Sequence, residues 1–297
     1  MRIVVACVVA MSMSAAGAAQ AQNAPARAAT PPSAAAPAAA CTNPNALGIA
    51  RTVEIDTTGG AGFGFEHFKQ HDFLKRNEVV LTFDDGPWPG NTPAVLQALA
   101  DQCIKATFFP IGKHATWYPE ILKQVAEAGH SIGNHTWSHK NLEKMKFEDA
   151  KTEIEKGVSA VNMSAGAPTA PFFRFPVLKH PPQLVTYLGE RNIGIFSTDM
   201  DSFDFTMRTP ERVIESVMKK LEKHGKGMVL LHDFQKHTAE ALPELLNRLK
   251  AGGYKIVHMK PKAPITALPE YNELVLKDQK LPTVNTRPTS SVVRTIE

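Results

Sequence analysis

From about residue 77 onward, short apolar runs alternate along the chain with longer amphipathic stretches. The runs are rich in β-branched and aromatic residues and end at charged residues, glycine or proline, which is typical of buried strands. The amphipathic stretches repeat their apolar positions every three to four residues, which predicts helices. We interpret seven runs as strands, at residues 79–83, 106–111, 130–133, 172–175, 193–197, 228–231 and 254–258.

Six helices are predicted between these strands. The first begins at Thr92, which we predict as its N-cap, ahead of a proline in the first turn. The others are predicted at residues 119–129, 148–163, 182–191, 209–225 and 238–250. Strands that alternate with helices over about 180 residues favour an α/β fold with a parallel sheet that is closed or nearly closed into a barrel. A doubly wound open sheet is the alternative.

The N-terminal end of the chain differs in composition from this alternating region. Residues 1–21 combine Arg2, an apolar run and a small-x-small cleavage site ending at Ala21, a pattern typical of a cleavable signal peptide. The apolar run is too short to span a membrane, so we expect a periplasmic or secreted protein without a membrane span. Residues 22–40 are almost entirely small or polar residues and proline, and we predict a disordered linker there.

Two further segments flank the main domain, which we predict at residues 77–260. Residues 41–76 are interpreted as an irregular segment packed on that domain, and residues 261–297 as a tail that partly wraps it. Cys41 and Cys103 are the two cysteines left after signal-peptide removal. An oxidising compartment favours a disulfide between them, and two separate thiols are the alternative.

Composition and charge restrict the class of partner. The 297 residues are 43% hydrophobic and 21% charged, as in a globular protein with a full core. The formal net charge is only +4, and the sequence has no dense stripe of lysine and arginine. A nucleic acid is therefore not the expected partner.

Titratable residues follow several of the predicted strands at the point where each strand ends. Asp84 and Asp85 follow the first run, and adjacent carboxylates need a cation or separate roles, because they repel each other. Strand carboxyl ends share one face of a parallel barrel, and active sites lie on that face. The other candidates at strand ends are His135, Arg174, Asp199, Asp201, Asp204, His232 and Asp233.

Two histidines four residues apart, His135 and His139, can reach one metal ion together with Asp85. Three protein ligands with open positions are typical of a catalytic metal site, with Zn²⁺ as the expected ion and Co²⁺ or Ni²⁺ also compatible. A second pair with the same spacing, His67 and His71, has no acidic residue at a strand end beside it. We interpret that pair as surface or structural residues.

Five motifs, in this order, resemble the polysaccharide deacetylases of carbohydrate esterase family 4. Thr82-Phe83-Asp84-Asp85-Gly86-Pro87 and His135-Thr136-Trp137-Ser138-His139 are the first two. The others are Phe173-Arg174-Phe175-Pro176, Asp201-Ser202-Phe203-Asp204-Phe205 and Leu230-Leu231-His232. The resemblance implies a distorted (β/α) barrel of about seven parallel strands, and a catalytic domain at residues 77–260.

The resemblance also implies an exported, metal-dependent N-deacetylase that acts on an acetylated glycan. Asp85, His135 and His139 would bind the ion, and Asp84 would be the general base, oriented and kept ionised by Arg174. His232 would be the general acid. A carboxylate from the Asp201–Asp204 segment would orient His232, and Asp201 is preferred over Asp204. A backbone N–H after Pro176 would bind the oxyanion.

Substrate contacts are expected from five residues. The family has a tyrosine after the third motif's proline, where this chain has Val177, and a tryptophan where it has Phe205. Phe205 and Leu230 would line a pocket for the acetyl methyl group. Trp88 and Trp137 lie in motif loops and are candidates for stacking on sugar rings.

Two other functions are compatible with these residues. One is a related metal-dependent amidase that acts on a non-sugar amide, and a panel of substrates distinguishes it from the deacetylase. The other is a non-catalytic carbohydrate-binding protein. The complete set of predicted ligands, base and acid argues against it, and absence of metal binding would favour it.

Overall fold

The computed structural model describes residues 41–279. The predicted signal peptide (1–21), the predicted linker (22–40) and the last part of the predicted tail (280–297) lie outside the described residues. The strands are β1 (Ile49–Ile55), β2 (Gly62–Phe63), β3 (Glu78–Asp84), β4 (Thr107–Phe109), β5 (Ser131–Ile132), β6 (Phe172–Phe173), β7 (Gly194–Phe196), β8 (Met200–Asp201), β9 (Gly227–His232) and β10 (Lys255–Pro261). The helices are α1 (Asn91–Asp101), α2 (Gly112–Trp117), α3 (Pro119–Glu127), α4 (Phe147–Ala165), α5 (Pro182–Glu190), α6 (Pro210–His224), α7 (Lys236–Ala251) and α8 (Pro269–Asp278).

The strands form two parallel sheets, so the predicted α/β class with parallel strands is confirmed. The larger sheet has seven strands, with β1-β10-β3-β4-β5 in order and β9 paired to both β3 and β8. The smaller sheet has the order β2-β7-β6. A parallel bridge between Asn134 and Phe173 connects the two sheets. Within residues 41–279 no strand pairing joins β7 to β8, so the predicted barrel is open at that point.

Strand β3 lies at the centre of this arrangement and is buried along its whole length. Val79, Leu81 and Phe83 pack in the large core cluster that includes helix residues, whereas Val80 packs in a second cluster with Phe109, Phe196 and Met228. Because side chains alternate along a strand, Asp84 projects to the same side as Val80. Its register places it opposite Phe109 of β4 and His232 of β9.

The predicted N-cap at Thr92 is wrong. Helix α1 begins at Asn91 after Gly90, and Thr92 lies in its first turn. The Thr92 hydroxyl is engaged elsewhere, because it accepts from Trp88 N at 2.8 Å and donates to Asp233 Oδ2 at 2.5 Å. Helices α2 and α8 were not predicted, whereas α6 ends at His224 and is capped by Gly225, with a φ of 75°, close to the predicted end of that helix.

The segment before β3 is more regular than the sequence indicated. Strand β1 pairs with β10 through six residue pairs, and β2 pairs with β7. Cys41 forms a disulfide with Cys103, with Cα atoms 5.6 Å apart, which confirms the predicted bond.

Helix α8 packs against α4 and buries Val275. None of the helices in residues 41–279 combines the length and the apolar character needed to cross a bilayer.

Candidate active site

The carboxyl ends of β3, β5, β8 and β9 open into one cleft of about 550 Å³. Titratable groups from separate segments line it: Asp84 at the end of β3 and Asp85 after it, His135 and His139 after β5, and His232 at the end of β9. The convergence that parallel strands impose therefore brings these five predicted residues together.

Asp84 is buried and paired with an equally buried cation. Arg174 Nη1 donates to Asp84 Oδ1 at 2.7 Å, and the Asp84 side chain is only 2% exposed. Burial raises the pKa of Asp84 to about 6, against the lowering effect of the Arg174 charge. A carboxylate with a pKa near neutrality is suited to general base chemistry.

The Arg174 guanidinium is held by many contacts besides Asp84. Nε donates to Phe196 O at 3.1 Å, Nη2 donates to Ser197 O at 2.8 Å, and Nη1 also donates to Thr82 Oγ1 at 2.8 Å. The guanidinium carbon lies 4.4 Å from the Phe109 ring centroid. These contacts fix Arg174 in one position, so Asp84 is oriented by a rigid donor.

Asp85 differs from its neighbour in backbone and in partners. Its φ of 73° turns the chain directly after β3, so the two consecutive carboxylates face different groups. Asp85 Oδ1 lies 3.6 Å from His135 Nε2 and 3.5 Å from His139 Nε2. This oxygen is buried and has no hydrogen-bond partner within the described part of the chain. A buried carboxylate oxygen without a donor fits a site for a cation.

The two histidines fit the same cation. One ligand atom from each of Asp85, His135 and His139 lies within 4.8 Å of the others. His135 Nδ1 donates to the Arg174 carbonyl at 2.7 Å, which leaves the Nε2 lone pair available. Burial, with the charge of His139 next, lowers the pKa of His135 well below its usual value, so its imidazole is neutral. Two imidazoles and a carboxylate are a donor set typical of Zn²⁺.

His232 is oriented by Asp204, so the preference for Asp201 is wrong. His232 Nδ1 donates to Asp204 Oδ1 at 2.6 Å, and His232 N donates to Asp204 Oδ2 at 2.7 Å. Burial alone would lower the pKa of His232, but the hydrogen bond and charge of Asp204 and the charges of Asp85 and Asp84 raise it to about 9.

The turn after β8 explains why Asp204 makes this contact. Phe203 has a left-handed φ of 56°, and Asp204 then begins a short 3₁₀ turn, Asp204–Thr206. Asp201 Oδ1 instead accepts from the Phe203 backbone N–H at 2.8 Å, which closes that turn. Asp201 lines the cleft, although it does not orient the histidine.

Asp233 supports the loop that carries the first motif. It is buried, and its Oδ1 accepts from Gly86 N at 3.1 Å. Burial raises the pKa of Asp233 to about 7. A Cβ at Gly86 would lie 2.1 Å from Asp233 Oδ2. Only glycine therefore fits at this position while Asp233 stays where it is. Asp199 is likewise held by backbone donors, Phe65 N and Met228 N.

Three of the five expected substrate contacts lie in the cleft. Val177 and Phe205 line it and are exposed, and Leu230 lines it and is buried. Val177 has a left-handed φ of 52°. Its N–H makes no hydrogen bond with any other residue in the range 41–279.

The two tryptophans do not contribute to the cleft. Trp137 is buried against Ala160 and Val275, so the predicted sugar contact of Trp137 is wrong. Trp88 is half-buried and packs edge-on against His114 and Tyr118, outside the residues that line the cleft.

Four residues outside the five motifs line the cleft although the sequence did not indicate a role for them: Glu66, His67, Leu178 and Lys179. His67 was interpreted as a surface or structural residue, because the His-x-x-x-His spacing at His67 and His71 has no motif partner. Its position depends on contacts between residues 64–67 and residues 197–199, which no local pattern reveals.

The chain is similar to proteins of one family. The family model described as "Polysaccharide deacetylase" matches residues 73–193. A chitooligosaccharide deacetylase of Azorhizobium caulinodans is 31% identical over 158 residues, which cover 53% of this chain and 74% of that protein. A solved structure of a peptidoglycan deacetylase from Bdellovibrio bacteriovorus superposes with a TM-score of 0.67 and 33% identity, covering 74% of this chain and 62% of that one.

A longer relative matches the same part of the chain. The peptidoglycan-N-acetylglucosamine deacetylase of Listeria monocytogenes is 32% identical over 185 residues, or 60% of this chain. The matched region spans only 37% of the length of that protein.

Proposed function

This chain belongs to the polysaccharide deacetylase family, and from that premise we propose that it removes acetyl groups from N-acetylglucosamine units of a glycan. The reaction is hydrolysis of the acetamide carbon–nitrogen bond, which yields acetate and a free amine. The observation that carries the proposal is the convergence of a buried base, an oriented acid and three metal-ligand side chains in one cleft.

Asp84 is the proposed general base. It takes a proton from the attacking water, and its burial keeps its proton affinity high enough for that step at neutral pH. Arg174 orients the carboxylate through the 2.7 Å hydrogen bond and stabilises it in the ionised form. Since Arg174 is itself fixed by two backbone carbonyls, the base cannot rotate away from the cleft.

His232 is the proposed general acid, which protonates the leaving amine. The raised pKa of His232 keeps the imidazole protonated at neutral pH, so a proton is available when the carbon–nitrogen bond breaks. Asp204 supports the role by accepting from Nδ1, which directs Nε2 into the cleft.

Asp85, His135 and His139 would hold the divalent ion, for which Zn²⁺ is proposed and Co²⁺ or Ni²⁺ are alternatives. When bound, such an ion supplies Lewis-acid polarisation of the substrate carbonyl and a lowered water pKa. The Val177 N–H, which is free of other partners in residues 41–279, is the proposed backbone donor for the oxyanion.

Export is part of the proposal. The sequence of residues 1–21 supports it, because it has the features of a signal peptide. The Cys41–Cys103 disulfide also supports it, because such bonds persist in oxidising compartments such as the periplasm or the extracellular space.

Acetate release from a panel of acetylated glycans tests the proposal. The panel holds chitooligosaccharides, soluble peptidoglycan strands and an acetylated exopolysaccharide, each with and without a chelator. We expect release from at least one glycan, abolished by chelator and restored by Zn²⁺. Inert glycans together with cleavage of small non-sugar amides would favour the amidase instead. Absence of both activities and of zinc binding would favour a carbohydrate-binding protein.

A further inference from the structure

A turn at residues 64–68 forms part of the cleft wall, although it precedes the region that the family model matches. Glu66 and His67 line the cleft together with the candidate metal ligands, whereas the match begins at residue 73. His71, the other histidine of that pair, instead packs against Phe63 with ring centroids 5.4 Å apart. The two histidines of this pair therefore have different surroundings.

Hydrogen bonds hold this turn against the chain that directly follows β7. Phe65 N donates to Asp199 Oδ1 at 2.6 Å, and Glu66 N donates to Thr198 O at 3.0 Å. Gly64 permits the close approach, since its φ is +101° and a Cβ there would lie 2.6 Å from Thr198 N. The protein itself therefore positions the turn at the cleft.

The imidazole of His67 is held on one side only. Its Nδ1 lies 2.7 Å from Ser197 Oγ, and its ring centroid lies 4.6 Å from that of His180. Burial, with the charges of His67 and Lys179, lowers the pKa of His180 to about 4, so His180 is uncharged at neutral pH. His67 Nε2 has no hydrogen-bond partner in residues 41–279, and the residue is exposed at the cleft.

We propose that His67 is a substrate-binding residue whose Nε2 forms a hydrogen bond with a hydroxyl group of the glycan in the cleft. The proposal rests on the proposed deacetylation of a glycan. Ser197 Oγ can donate to Nδ1 or accept from it, so Nε2 is a donor in one tautomer and an acceptor in the other. A sugar hydroxyl both donates and accepts, and it therefore matches either tautomer.

The cleft offers a glycan a second kind of surface as well. Phe203 and Phe205 line it with exposed rings. A pyranose has an apolar face of C–H groups and a polar edge of hydroxyls, so a cleft with aromatic rings and a fixed imidazole is suited to both. His67 thereby selects for a hydroxylated substrate over a simple acetamide of similar size.

Steady-state kinetics and equilibrium binding of three variants test this inference. The probes are chitopentaose and soluble peptidoglycan strands, and binding is measured calorimetrically on zinc-free protein. We expect His67→Ala to raise KM and Kd about fivefold to tenfold while kcat changes by less than about twofold. His67→Gln restores at least half of the loss, because its amide can form a hydrogen bond of similar reach. His71→Ala, the matched control, leaves both constants unchanged.

Unchanged KM and Kd in folded His67→Ala protein would overturn the inference, as would an equal loss in His71→Ala. Failure of the proposed function gives a different result: a wild type that binds a probe and releases no acetate. In that case the Kd of His67→Ala still decides the role of His67. A wild type that binds neither probe, with or without zinc, and that releases acetate from no glycan of the panel overturns both proposals.

Discussion

Asp84 and Asp85 are identical and adjacent residues that fit different chemical roles because of their surroundings. Asp84 accepts from Arg174 and is buried at the base of the cleft, whereas Asp85 presents a buried oxygen without a donor to two histidines. The left-handed conformation of Asp85 separates the two side chains. Their mutual repulsion is thus offset by one fixed cation and one cation site.

Two carboxylates three residues apart, Asp204 and Asp201, provide a test of how His232 is oriented. Asp204→Asn removes the charge that supports the His232 imidazole, and we expect kcat/KM for acetate release to fall about tenfold to a hundredfold. Asp201→Asn is the matched control and should change kcat/KM by less than about threefold. A larger loss in Asp201→Asn than in Asp204→Asn would contradict the assignment.

The sequence predicted most residues of the candidate site, because these residues lie at the ends of predicted strands. Asp84, His135 and His232 each follow a predicted strand, and parallel strands bring such positions to one face. Which of Asp201 and Asp204 contacts His232 depends on the left-handed turn at Phe203. The sequence does not indicate this turn, because phenylalanine rarely adopts a positive φ.

At the scale of elements, the register of β3 and the loop after it determine the site. Strand β3 places Asp84 opposite His232, and the loop from Gly86 packs on Asp233 at the end of β9. All seven predicted strands are present, and the structure makes each of them shorter or longer than predicted. Strands β1, β2 and β8 were missed, because two of them have only two residues and the third alternates exposed with half-buried positions.

Gly86→Ala tests the packing of that loop on Asp233. The added Cβ overlaps the Asp233 carboxylate, so the backbone beside Asp85 must shift, and we expect zinc affinity to fall at least about tenfold. Gly90→Ala in the same loop is the control, because a Cβ there meets nothing within 4 Å, although its φ of 77°, unlike the backbone at Gly86, disfavours alanine. Equal zinc affinity in the two variants, measured by competition with a chelating dye, would count against this role of the loop.

At the scale of the whole molecule, the segments on both sides of the central region complete the domain. Strand β1 extends the large sheet through β10, the disulfide joins Cys41 to Cys103, and α8 covers α4. The turn that carries His67 belongs to the N-terminal one of these segments. Long-range contacts of this kind leave no periodic pattern in the sequence. The sequence therefore indicated that these segments pack on the domain, but it did not indicate their strands, their helix or their contacts.

Acid stability is predicted from a buried histidine that lies away from the cleft. His130 Nδ1 accepts from Ala106 N at 3.1 Å, and burial, with the charges of Lys105 and His258, lowers the pKa of His130 from 6.5 to about 3. Below pH 6.5 the unfolded chain binds a proton that the folded protein does not, so stability is complete above that pH and declines as the pH falls toward 3.

The expected loss from this one residue is about 2 kcal/mol of unfolding free energy between pH 7 and pH 5. His130→Asn can keep the hydrogen bond without titrating. Between pH 7 and pH 5, the unfolding free energy of His130→Asn should therefore fall by about 2 kcal/mol less than that of wild type. Denaturant unfolding in the presence of chelator measures both proteins, with His71→Asn as a surface control. Parallel pH dependences for wild type and His130→Asn would show that the prediction is wrong.

Acetate release and zinc content in wild type and Asp84→Asn test the separate roles of Asp84 and Asp85 most directly. The substitution keeps the shape of the side chain and removes the proposed base, while Asp85, His135 and His139 are unchanged. We predict that Asp84→Asn binds one equivalent of zinc and releases acetate roughly a hundredfold to ten-thousandfold more slowly than wild type. Acetate release at the wild-type rate by the zinc-loaded variant would show that Asp84 is not the general base.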